Sequence, residues 1–244
     1  MNPVLALSTA RRILTQLRHD RRTVAMLLLM PSILMVLLRY VFNSEAAFDR
    51  FGPALLGIFP FVMMFLVTSI TTLRERTTAT LERLMALPMG KLDLLAGYAV
   101  AFGALALVQV SIVTAVSLTW LGLDLAGSVW MLFLIAVLDA VLGMALGLFV
   151  SAFARTEFQA IQFMPVVVMP QLLLCGLFVP RDEMAVLLTW LSNVLPLSYA
   201  VDAITAVTGT ATVQAGLLRD IGVVAGFVLL ALALGAATLR RRTP

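Results

Sequence analysis

The sequence predicts an all-α integral membrane protein: six transmembrane helices, an amino-terminal interfacial helix, and a re-entrant helix pair between spans five and six. Three observations predict this. The 244 residues are 61% hydrophobic and 12% charged, where a soluble domain carries about 25% charged residues. Uncharged runs such as Phe51–Leu73 and Leu94–Leu123 exceed the ~20 apolar residues a helix needs to cross a bilayer. Basic residues also concentrate in alternate connections, as the positive-inside rule requires. The chain, 1–244, reads as a single transmembrane domain without a Pro/Ser/Gly-rich linker or a soluble domain.

The first element is VLALSTARRILTQLRHDRR, about 4–22. On a helical wheel Ala6, Leu7, Ala10, Ile13, Leu14 and Leu17 share one arc, and Arg11, Arg12, Arg18 and His19 lie outside it. This pattern fits an interfacial helix whose arginines face anionic headgroups. The alternative is a plain extension of the first span. The spans follow at roughly 23–43, 51–73, 94–122, 126–153, 158–179 and 221–239. A further uncharged run, Met184–Val201, is long enough to cross, but it carries Ser192, Asn193, Pro196 and Ser198. Those residues suit a broken, re-entrant or surface-lying pair over about 181–203.

Charge fixes the count at six. Six crossings place 13 of the 17 basic residues on one side, among them Arg11, Arg12, Arg74, Arg76, Arg83, Lys91 and the Arg240–Arg242 tail. A seventh crossing would send that tail outward. Both termini are therefore expected in the cytoplasm. The basic complement is 16 Arg and one Lys. With much Ala and Leu, that bias points to a GC-rich bacterial genome, and so to a bacterial cytoplasmic membrane as the site of a multi-pass protein.

Reactive groups are scarce. One histidine, His19, excludes a multi-His metal site, and one cysteine, Cys175, excludes an intrachain disulfide. MALPMGKL at 85–92 lacks the first glycine of a phosphate loop and has Leu92 where Ser or Thr is needed. No nucleic-acid partner is indicated, because topology accounts for the basic tail. The one acid deep within a span is Asp139, which shares a stripe with Gly143 and Gly147. A membrane-embedded acid is a functional candidate by default. A GxxxG stripe is a close-packing face on which such an acid would hydrogen-bond a neighbouring helix. Gln109 in the third span, and Gln162 and Gln171 near Pro165 and Pro170 in the fifth, are the other candidates for a pathway or for helix packing.

The charged insert RERTTATLERLMALPMGK (74–91) lies between the second and third spans, on the inner side. Leu81, Leu84 and Met85 form an i, i+3, i+4 stripe, and Pro88 with Gly90 ends the helix. The pattern alone allows either a helix lying on the membrane or a docking helix for a soluble partner.

This insert resembles the first cytoplasmic loop of type-2 ABC export permeases of the drug- and lipid-exporter kind, including the daunorubicin-resistance group. Glu75, Thr80, Leu81, Glu82, Leu84 and Pro88 match that family's pattern, while Thr77, Ala79 and Leu87 depart from it. PLSYAVDA at 196–203 resembles the family's stretch between the last two spans, with Pro196, Leu197, Tyr199, Ala200, Val201, Asp202 and Ala203 matching. The resemblance covers essentially the whole chain. It implies a non-enzymatic transport subunit, paired with a second permease copy or a related permease chain. It also implies two copies of a separate ATP-binding subunit that hold ATP and Mg, this chain binding no cofactor itself. The coupling loop, about 74–93, would dock on that subunit through Glu75, Leu81, Glu82, Arg83, Leu84, Met85 and Pro88. The outer re-entrant region would cap the mouth through Trp190, Pro196, Tyr199 and Asp202. Membrane lipids are expected partners, and the cargo is expected to be drug-like or lipid-like. Two other classes stay open on the residues: an ion-coupled secondary transporter using Asp139, and a membrane-embedded enzyme or assembly factor.

Overall fold

The computed structural model describes residues 3–78, 90–125, 127–209 and 215–238. Among them the chain is helical, with α1 Pro3–His19, α2 Arg21–Phe42, α3 Glu45–Thr77, α4 Lys91–Thr119, α5 Val129–Val150 and α6 Glu157–Leu174. A 3-10 turn at Arg181–Glu183 follows, then α7 Val186–Val194, α8 Pro196–Gly209 and α9 Ala215–Thr238. The helices α2, α3, α4, α5, α6 and α9 are each long and apolar enough to span a bilayer, which matches the six expected.

Local chemistry sets the boundaries. Asp20 caps α2 by accepting from the Thr23 amide (3.2 Å) and hydroxyl (2.6 Å), so α1 and α2 are separate helices rather than one. Asn43 closes α2 in the left-handed region at φ 45°. Ser44 then caps α3 through the Ala47 amide. At 33 residues, α3 is ~50 Å long by helical rise, well beyond a ~30 Å hydrocarbon core, so its ends project past the apolar slab. α6 stops earlier than the expected 179: Gly176 turns left-handed at φ +91°, a conformation that costs glycine little. Pro165 and Pro170 both lie within the one helix α6.

The run 184–201 forms two helices that meet at 91°. Leu195 is extended and Pro196 opens α8, where its missing N–H costs no hydrogen bond. α8 continues to Gly209, past the expected end at 203. The pair is fastened to α6: Ser192 donates to the Leu174 carbonyl at 2.8 Å and lies 3.0 Å from the Ser198 hydroxyl. This satisfies a carbonyl that the end of α6 would otherwise leave open.

α3 and α5 form the centre and are the most buried spans, whereas α2, α6 and α9 are the least. Gly143 and Gly147 let α5 lie directly on α3. A Cβ at either would fall on the carbonyl oxygen of Phe61 or Phe65, so the expected GxxxG face packs backbone to backbone. The arc of α1 is covered by protein rather than lipid. Ala6, Thr9, Ala10, Ile13 and Leu17 are buried, and a Cβ at Gly97 of α4 would come 2.9 Å from the Ala6 carbonyl. Of the expected arc, Leu7 points away and is 61% exposed.

Candidate functional site

Functional candidates fall at three levels along the bundle: the end where α3 and α4 approach the 79–89 connection, the middle of the spans, and the opposite end. Leu81, Glu82, Arg83, Leu84, Met85 and Pro88 lie outside the described residues, but the two stems of their connection are described. α3 ends as Thr77 and Thr78 return their hydroxyls to the Arg74 carbonyl (3.1 and 2.7 Å). α4 begins with the Asp93 carboxylate accepting from the Gly90 amide at 3.1 Å.

Consecutive residues at the end of α3 hold different neighbours. Glu75 does not face outward as a docking residue would; it is 6% exposed. Arg12 of α1 grips its carboxylate with both terminal nitrogens, at 3.1 and 3.3 Å, and the Tyr98 hydroxyl of α4 donates to it as well. Arg74 instead makes a two-pronged bridge to Glu157 at the start of α6, at 2.7 and 3.0 Å. Both partners of that bridge are about half exposed, so its own contribution is small. Leu73 packs with Ala154 and Ala160 on the α6 side. The stem before the connection thus joins α1, α4 and α6.

In the middle, Gln109 donates from α4 to the Leu27 carbonyl of α2 at 2.7 Å, with Gln109 and Leu27 both fully buried. Gln171 donates to the Val167 carbonyl of its own helix, and Gln162 is exposed on α6. Asp139 is fully buried, and neither carboxylate oxygen has a hydrogen-bond partner among the described residues. The interhelical hydrogen bond expected of it is therefore missing. Gly57 of α3 faces it: a Cβ there would lie 3.3 Å from Asp139 Oδ2 and 2.5 Å from Ile204 Cδ1, so a side chain there would force a shift.

At the far end Arg181 is a hub. Its guanidinium donates to Asp202 of α8 and to the Asn193 side chain of α7 and sits 5.2 Å from the Tyr199 ring centre. The Tyr199 hydroxyl donates to the Asn193 carbonyl at 2.8 Å. Pro196 is buried at the bend, and Trp190 is 71% exposed on α7. The structure thus brings Tyr199 and Asp202 together around Arg181 and leaves Trp190 outside that cluster. Sequence reasoning missed Arg12, Tyr98 and Arg181. The unlike charges of Arg12 and Glu75 were visible, but 63 residues separate them.

Comparison with known proteins places the arrangement. Residues 4–208 match the family model described as ABC-2 type transporter. The chain is 28% identical over 162 residues to ABC transporter G family member 20 of Dictyostelium discoideum, covering 66% of this chain and 22% of that protein. It is 30% identical over 141 residues to the probable multidrug ABC transporter permease YbhR of Escherichia coli, covering 58% of this chain and 38% of that one. With the E. coli permease YbhS it shares 26% identity over 168 residues, covering 68% of this chain and 45% of the relative. The match spans less than half the length of each of these relatives.

Proposed function

The chain belongs to the ABC-2 type transporter family, and from that premise we propose that it is the membrane subunit of an ATP-driven exporter. A separate ATP-binding subunit, present in two copies and holding ATP and Mg, supplies the energy. A second permease chain completes the membrane pair, and alternating access carries a drug-like or lipid-like amphiphile outward. The bacterial cytoplasmic membrane, with both termini inside, is the proposed setting.

The observation that carries the coupling is the stem of the 79–89 connection. Arg74 and Glu75 are neighbours in sequence, yet one is tied to α6 and the other to α1 and α4. A force on the connection would reach three helices through two adjacent residues. In this reading Leu81, Glu82, Arg83, Leu84, Met85 and Pro88 meet the ATP-binding subunit, and Glu75 is a positioning residue behind them. The multidrug description of the E. coli relatives favours an apolar or amphipathic cargo.

A second reading, ion-coupled secondary transport, rests on Asp139, since a buried acid without a hydrogen-bond partner among the described residues is costly to keep. Transport by Asp139→Asn in vesicles separates the two. We expect uptake that requires ATP, persists with a protonophore and is largely retained in Asp139→Asn. Uptake that ignores ATP and collapses in that variant would establish ion coupling instead.

A further inference from the structure

At the end of the bundle away from the 79–89 connection, a cavity of about 1010 Å³ opens between the start of α3, the α6–α7 connection, α8 and the start of α9. Arg50, Arg181 and Arg219 line it together with Asp182, Asp202 and Asp220. Arg181 and Asp202 pair with each other. Arg50, Arg219, Asp182 and Asp220 make no salt bridge among the described residues. Two arginines and two aspartates without a close ion-pair partner among the described residues therefore line one space, from α3, the 3-10 turn and α9, Arg50 lying over the Phe51 ring at 5.3 Å. Arginines that merely anchor a helix in the headgroup layer would need no such acids beside them.

The wall formed by α7 is two-sided. Thr189 and Asn193, one helical turn apart, line the cavity. Val186, Leu187 and Trp190 point elsewhere and are 76%, 72% and 71% exposed. A polar, charge-balanced space thus adjoins an uncovered apolar strip on the same helix.

We propose that this cavity binds the zwitterionic headgroup of a phospholipid-like amphiphile. Its phosphate lies against Arg50 and Arg219, whose planar guanidiniums suit phosphate oxygens. Its amine lies against Asp182 and Asp220, and its acyl chains run along the apolar strip of α7. A purely anionic headgroup would leave the two acids opposing it. The inference rests on the membrane placement of the bundle and not on export.

The test is native mass spectrometry of the purified full chain after exchange into equimolar phosphatidylethanolamine and phosphatidylglycerol. The wild type should retain phosphatidylethanolamine roughly tenfold better, the scale of one charge-assisted hydrogen bond. Arg50→Gln/Arg219→Gln should lose most of that retention. Asp182→Asn/Asp220→Asn should keep lipid but lose the preference. Glycerophosphoethanolamine should displace the lipid from the wild type better than glycerophosphate does, a measurement that needs no variant to fold. Equal retention of the two lipids by the wild type, or unchanged selectivity in both double variants, would overturn the proposal. A bound lipid that departs only during ATP turnover is cargo, and one that stays is a resident lipid; both outcomes support the site. Failure of ATP-driven movement with selective retention intact would count against export alone.

Discussion

Pro31 lacks the amide hydrogen that would pair with the Leu27 carbonyl one turn earlier, and Gln109 of α4 donates to that carbonyl at 2.7 Å. The proline's defect thereby becomes a tie between α2 and α4, since a polar group freed within a membrane must find a partner. Gln109→Leu should lower stability by about 1–3 kcal/mol, the cost of a buried acceptor left unmade. Adding Pro31→Ala restores an in-helix donor and should recover much of the loss, as read by thermal unfolding in detergent. Equal destabilisation with proline or alanine at 31 would rule out this pairing. Gln109 was legible in the sequence as an interhelical hydrogen bonder, but its partner was not, because which carbonyl it meets depends on how two helices cross. Asp139 shows the same division: its burial was legible from an uncharged context, and the missing partner was not.

At the scale of elements, the α3–α5 contact depends on two missing side chains. A Cβ at Gly143 meets the backbone oxygen of Phe61, which cannot rotate away, whereas a Cβ at Gly103 of α4 meets nothing within 4 Å. Gly143→Ala should therefore destabilise by about 1–3 kcal/mol or more through overpacking, while Gly103→Ala should be tolerated. Comparable unfolding temperatures for the two variants would contradict the close contact. Helix existence and the GxxxG face were readable because both depend on local spacing. The cover over α1 was not. The periodicity of Ala6, Ala10, Ile13 and Leu17 says that one face is apolar, and lipid or α4 could equally meet it. The break at Leu195–Pro196 was legible from Pro196 and the polar residues around it, but not the Arg181 hub that holds the two halves.

For the molecule as a whole, the charge distribution and the family agree on a multi-pass transporter chain, and the stem before the 79–89 connection is tied to α1, α4 and α6. The positive-inside count predicts that a reporter fused after Pro244 reads as cytoplasmic. An external reading would make the bent α7–α8 pair a complete seventh crossing. The central claim is that a separate ATP-binding subunit drives this chain through residues 79–89, and co-purification of that subunit tests it most directly. The account predicts that the wild-type chain retains the subunit, while Glu82→Ala/Leu84→Lys, inserted in the membrane at the same level, loses most of it. Full retention of the subunit by that double variant would contradict the claim.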